Sequence, residues 1–239
     1  MKKSKSIVAV PLLAFGLLAT GHAAAADKKE DKVTSFLDYR HQYEAEDKEH
    51  RDMFGLKIYT SSVMWELINY HTSGKDSKPL EDIHVSSTEI GAYIPYKINK
   101  KFSLVSGLVG GFGSGDPAYI ASFKLGYKHS KDFAFATKYR FVQGTGSIRD
   151  KRLNRFDGYV TYKGLDLFNV QYQYNYTMQT GDEKYKLFDN DTKDYFHQIR
   201  IKGKFNKTWK PFIEFRDMKV NNKSDDRQMR YTAGIQYYF

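Results

Sequence analysis

Ten basic residues carry most of the chemistry this chain can offer: Arg40, Lys57, Lys124, Lys138, Arg140, Arg155, Arg200, Lys202, Arg216 and Arg230. Each lies in a stretch where apolar and polar residues alternate, and each falls in the polar set. Asp38, Glu66, Glu89, Asp157 and Glu214 share that set, so cations exceed carboxylates by 10 − 5 = 5. A guanidinium is a planar fork that meets a carboxylate with two hydrogen bonds. Rings of Arg and Lys around a watery passage select for anions. One such contact near a wet surface is worth about 1–4 kcal/mol before salt screening. Tyr93, Tyr159 and Tyr238 belong to the same set and could stack on sugar faces. The plainer reading is that the cations only neutralise the carboxylates; the surplus of five argues against it.

The residues that position these groups are read from their period. Phe168 to Tyr176 runs Phe-Asn-Val-Gln-Tyr-Gln-Tyr-Asn-Tyr, aromatic or β-branched at every even position and amide at every odd one. A strand sends the two sets to opposite faces; a helix does not. Phe133, Phe135, Thr137, Tyr139 and Phe141 alternate in the same way with Ala134, Ala136, Lys138 and Arg140. Met229, Tyr231, Ala233, Ile235, Tyr237 and Phe239 alternate with Arg230, Thr232, Gly234, Gln236 and Tyr238. Across the alternating stretches every Lys, Arg, Asp and Glu falls in one class. That is the pattern of a membrane-spanning barrel, where a charge facing lipid at mid-depth costs about 2–4 kcal/mol.

The alternation predicts twelve strands over 33–43, 51–60, 62–72, 84–97, 101–111, 117–128, 132–142, 153–163, 167–179, 193–205, 209–219 and 227–239. The fold class is all-β, a twelve-stranded antiparallel transmembrane barrel. Short connections after strands 2, 4, 6, 8 and 10 and longer polar ones between them match periplasmic turns and outer loops. Residues 143–152 and 180–192 are expected to be the longest. Twelve strands leave a narrow passage unless something plugs it, and neither of those two loops is long or apolar enough to be a plug. A terminal strand ending on Phe239, with Tyr237 and Ile235 on its face, is a further sign of an outer-membrane barrel.

Composition agrees. Lys2, Lys3 and Lys5 precede the apolar run Ile7–Leu18, and Ala24 and Ala26 fill the small positions of an A-x-A site. This is a secretory signal over residues 1–26, cleaved before Asp27, and its apolar run is too short to span a membrane as a helix. The barrel then occupies 27–239. Removing the three signal lysines leaves (38 − 3) − 28 = +7. There is no cysteine, so an exported chain of this kind is not a disulfide scaffold. Mean hydropathy is −0.64. A barrel escapes that test because lumen-facing polar residues dilute its apolar ones.

Two other classes compete. An outer-membrane phospholipase needs a nucleophile, a base and an orienting group. His41 and His197 fall in the outward class, but neither has a serine at matching depth on an adjacent strand. They read as interfacial histidines, and His129 as a turn residue. A structural or adhesive barrel would have a sealed interior. Asp189–Asp194 looks like the start of a calcium loop but lacks the glycine and the later glutamate. No metal and no cofactor is expected. The basic charge is spread along strands of an exported chain, which speaks against nucleic acid.

Several segments carry a family resemblance. Trp209-Lys210-Pro211-Phe212-Ile213-Glu214, Asp226-Arg227-Gln228-Met229-Arg230-Tyr231 and Gly234-Ile235-Gln236-Tyr237 resemble the C-terminus of KdgM-family oligogalacturonate-specific porins. Asp38-Tyr39-Arg40-His41 is similar to the family's first strand and Lys138-Tyr139-Arg140 to its seventh. Arg155-Phe156-Asp157-Gly158-Tyr159-Val160-Thr161-Tyr162 looks closest to the family's sialic-acid channel branch. The resemblance implies a monomeric porin of the bacterial outer membrane, in contact with its lipid, that passes acidic oligosaccharides between two tracks of basic side chains. By matched motif the tracks include Arg40, Lys138, Arg140, Arg155, Arg200 and Arg230. Met53 and Gly126 depart from the pattern, standing where members often carry arginine.

Overall fold

The computed structural model describes residues 34–60, 62–113 and 117–239. The signal segment expected at 1–26 lies outside them. Twelve antiparallel strands form one closed sheet. They are β1 (Thr34–Glu44), β2 (Glu49–Tyr59), β3 (Met64–Thr72), β4 (His84–Lys97), β5 (Phe102–Gly113), β6 (Ala118–Lys128), β7 (Phe133–Gly144), β8 (Arg152–Tyr162), β9 (Phe168–Gln179), β10 (Lys193–Gly203), β11 (Trp209–Lys219) and β12 (Arg227–Tyr238). Each predicted strand is present, with its ends within two residues of the expected ones. Neighbours in sequence pair with each other, and β1 closes on β12 from Phe36 opposite Tyr238 to Glu44 opposite Arg230. Closure leaves no open edge, as a span through lipid requires.

Connections after β2, β4, β6, β8 and β10 are four or five residues long. Those after β3 and β9, at 73–83 and 180–192, have eleven and thirteen. Two of the longer loops expected are short: the one after β1, at 45–48, has four residues, and the one expected at 143–152 spans only 145–151. β7 continues to Gly144 and β8 starts at Arg152, with a 3-10 turn at Gly146–Ile148 between them. Loop 180–192 turns back at Asp189 and Asn190, both with positive φ. It is tied to 220–226 by Asn190 N–H donating to the Asn222 carbonyl (2.9 Å).

Side-chain parity sorts as a barrel wall should. The outward class holds exposed Leu37, Ile90, Ile94, Leu108, Phe123, Val160, Ile199 and Ile213. At the end where β1 begins and β12 finishes, outward rings pack in pairs. Trp209 and Tyr237 lie 4.4 Å apart, Phe102 and Tyr127 4.8 Å, and Phe133 and Tyr162 4.9 Å. This is an aromatic girdle at a membrane interface.

Six strand charges break the rule that all share one class: the carboxylates Asp52 and Asp217, and the cations Arg152, Lys193, Lys219 and Arg227 at the loop ends of their strands. Asp217 sits outward near the loop end and is held by Arg227 Nε at 3.0 Å from both oxygens. Asp52 is outward too, yet only 2% exposed. Tyr39 Oη donates to Asp52 Oδ1 (2.7 Å), and His41 Nδ1 lies 3.0 Å from the same oxygen. His41 Nε2 in turn meets His50 Nδ1 at 3.1 Å. The carboxylate is tolerated because its neighbours replace water. Asp52→Ala strips two donors of their acceptor and is expected to cost about 1–3 kcal/mol. Urea unfolding of the barrel in vesicles checks this; an unchanged midpoint would show that the cluster adds no stability.

Candidate functional site

The register turns all ten predicted basic side chains to the inner parity. Asp38 faces Gly55 and Gln236, Arg40 faces Met53 and Gly234, and Lys124 faces Lys138, which faces Asp157. Phe36, Met53, Ile68, Val109 and Phe212 share that inner side and are nearly fully covered. They floor the interior beneath the charges. Met53, an apolar departure from the family pattern, stands directly across from Arg40 in the register.

Ion pairing divides the ten into two groups. Arg40 forks onto Asp38, with Nε to Oδ1 at 3.1 Å and Nη2 to Oδ2 at 2.8 Å, and reaches Glu214 at 4.0 Å. Arg200 also donates to Glu214, Arg230 to Glu44 and Lys57 to Glu66. Arg140 Nη2 donates to Asp157 Oδ2 (2.7 Å), whose other oxygen takes Gln173 and Asn175 amides at 2.8 Å each. Asp38, Asp157 and Glu214 are each at most 2% exposed.

The remaining five, Lys124, Lys138, Arg155, Lys202 and Arg216, have no carboxylate in ion-pair contact among the described residues. Arg216 donates to Gln198 (2.7 Å) and lies over the Phe196 ring. Lys202 donates to Gln236. Arg140, Arg155 and Arg230 each keep a buried Nε–H without a protein acceptor. These are pre-oriented donors of the kind an anionic ligand would satisfy.

Two cavities follow one another along the barrel. The one nearer the long loops has a volume of about 610 Å³ and is bordered by Arg40, Arg51, Arg140, Arg155, Arg216 and Arg230, with Lys138 and Glu89. The one nearer the short turns, about 760 Å³, is bordered by Lys97, Lys100, Lys101, Lys124, Lys128 and Lys163 and by no arginine. Lys202 borders a smaller recess with Lys204, Lys207 and Lys210. Lys57 and Arg200 border neither large cavity; both are tied to carboxylates. Arg51 and Lys210 were absent from the predicted set. Arg51 could have been found by carrying the β2 alternation two residues back from Met53, and Lys210 by counting back from Phe212.

Neither His41 nor His197 faces a serine across the strand register. His41 stands between Asp52 and Ala233, and His197 between Tyr174 and Asp217. His197 Nδ1 meets the Tyr172 hydroxyl at 2.7 Å on the outer face.

Residues 31–239 match the model of the family described as oligogalacturonate-specific porin protein (KdgM). The chain belongs to this family. It is 28% identical over 220 residues to the oligogalacturonate-specific porin KdgM of Dickeya dadantii, covering 85% of this chain and 91% of that one. It is 26% identical over 193 residues to the N-acetylneuraminic acid outer membrane channel protein NanC of Escherichia coli, covering 77% and 76%. Among solved structures, NanC superposes with a TM-score of 0.70 at 16% identity (84% of this chain, 98% of that one). A KdgM porin in complex with disordered oligogalacturonate superposes with 0.64 at 23% (85% and 99%). At that identity the structures speak for the fold, a barrel of the same kind. With its twelve closed strands, the KdgM-family chain is an outer-membrane porin.

Proposed function

We propose that this porin gives passive, anion-selective passage to acidic oligosaccharides, oligogalacturonate or a similar uronate oligomer or sialic acid, through an interior lined by Arg and Lys. The observation that carries the reading is the surplus of interior cations without carboxylate partners: Arg155, Arg216, Lys124, Lys138 and Lys202. A neutralising role would have paired them. Arginine forks suit a carboxylate that recurs on every sugar unit. Sites of modest strength, repeated along the path, let a solute enter and leave. Two relatives named above are specified for an oligogalacturonate and for a sialic acid, both acidic sugars, which supports the class without choosing between them.

The chain acts as a monomer and contacts outer-membrane lipid in this reading. Its passage lies within one closed sheet and its outward class is largely apolar. It is read as a channel rather than an enzyme, since the relatives named above are a porin and a channel protein. Residues 1–26 direct export and are removed after Ala26.

In a planar bilayer the protein is expected to conduct with chloride favoured over potassium. Trigalacturonate and sialic acid should block the current at concentrations where maltotriose does nothing. A cation-selective current, or equal block by the neutral sugar, would refute the reading.

A further inference from the structure

The two cavities meet at a pair of tyrosines. Tyr159 borders both, and Tyr93 borders the arginine-lined one. Tyr93 lies opposite Gly107 on β5. A Cβ at Gly107 would come within 2.6 Å of Tyr93 Cε1, and one at Gly91 within 3.0 Å of Cε2. Both edges of the ring therefore rest on backbone that only glycine leaves bare, and the ring lies flat on the wall with a face toward the interior. The Lys138 ammonium is poised over that ring, 6.0 Å from its centre. Tyr159 faces the small side chain of Ala136 across the sheet and has the Lys124 ammonium 4.9 Å over its ring. Lys124 and Lys138 are direct cross-strand partners. All four side chains are half-buried.

Resting on the acidic-sugar reading above, we infer that Tyr93 with Lys138, and Tyr159 with Lys124, form a stacking subsite for single uronate rings at the junction of the two cavities. The face of a tyrosine is electron-rich and attracts either a cation or the weakly positive C–H face of a pyranose. In the empty passage the ammonium occupies that face. When a uronate arrives, the sugar takes the ring, and the flexible lysine swings aside to the carboxylate on the sugar's edge. Neither lysine has a carboxylate of its own to release first, so the exchange leaves no buried charge unpaired.

Phe212 shows what a ring without this role looks like. It too packs onto a glycine, Gly234, but Arg40 and Arg200 close over it, and Asp38 and Glu214 hold those arginines in place. Phe212 is 3% exposed, sealed and unavailable.

The test compares two blockers of the open-channel current, trigalacturonate and the acyclic trianion citrate. Tyr93→Leu and Tyr159→Leu are each expected to weaken block by trigalacturonate about threefold to tenfold while shifting citrate less than twofold. Tyr→Phe at either position should restore the sugar's block, since the ring face and not the hydroxyl does the binding. Gly107→Ala, which lifts the Tyr93 ring from its bed, should weaken the sugar selectively and covers the case in which Tyr93→Leu fails to assemble. Unchanged trigalacturonate block in the leucine variants, or equal loss for sugar and citrate, would overturn the subsite. Failure of the acidic-sugar reading would look different: the wild-type channel would then be blocked by citrate and not by trigalacturonate.

Discussion

Arg155→Glu should lower the chloride-to-potassium permeability ratio about tenfold, read as a shift of reversal potential in a salt gradient. The position has no carboxylate partner, borders the arginine-lined cavity and neighbours Arg140 across the sheet. The substitution removes one positive charge and adds a negative one where the walls exclude much of the water. At an effective dielectric near 20, a unit charge acts on a passing ion a few ångströms away with about 4 kcal/mol, and screening by salt reduces this. Arg216→Glu should act in the same direction. Arg140→Glu and Arg230→Glu should lower selectivity too, but by less. Each would set a new carboxylate against an existing one, Asp157 or Glu44. Two such acids in contact share a proton, so the charge change is only partly expressed. An unchanged reversal potential in Arg155→Glu would separate the cations from selectivity while leaving the barrel intact.

Glu214→Ala is expected to cost about 3 kcal/mol of stability. Glu214 accepts from Arg200 and approaches Arg40, and it is almost wholly covered. Removing one partner of a buried ion pair leaves a stranded charge, typically about 3–5 kcal/mol of destabilisation. The lower end applies because the two guanidinium side chains, 17% and 24% exposed, can recover some water. Urea titration in vesicles measures the loss. A paired Glu214→Gln variant should recover part of it, since an amide still accepts one hydrogen bond. Equal stability of Glu214→Ala and the parent would mean that the interior hydrates these arginines freely.

Strands were the most legible level. A period of two survives even in a polar chain, and β4 and β11 begin and end at the predicted residues. β5 blurs it: Gly107, Gly110, Gly111 and Gly113 carry no side chain to alternate. Which face each charge occupies was also readable, because lipid penalises a mistake heavily. Asp52 is the instructive failure. Its tolerance depends on Tyr39 and His41 from the neighbouring strand, and no one-dimensional pattern records that they converge on one oxygen. The split between paired and unpaired cations was hidden for the same reason. Arg40 and Glu214 lie on β1 and β11, separated by β12, and meet only once the barrel has closed. The glycine bed under Tyr93 also needs the register, since Gly107 is a bare letter until β4 and β5 are aligned.

The segregation of arginine toward the long loops and lysine toward the short turns bears on kinetics rather than on direction. No energy source acts on a passive barrel, so detailed balance forbids it from accumulating solute, whatever the arrangement of its walls. What the arrangement can set is where a traveller dwells. Forked donors hold a carboxylate in fixed geometry, whereas mobile ammonium groups let it go readily. Residence would be weighted to the outer half, raising occupancy when the solute is dilute outside. The inner half would then empty quickly, and turnover at saturation would be governed by escape from the outer forks.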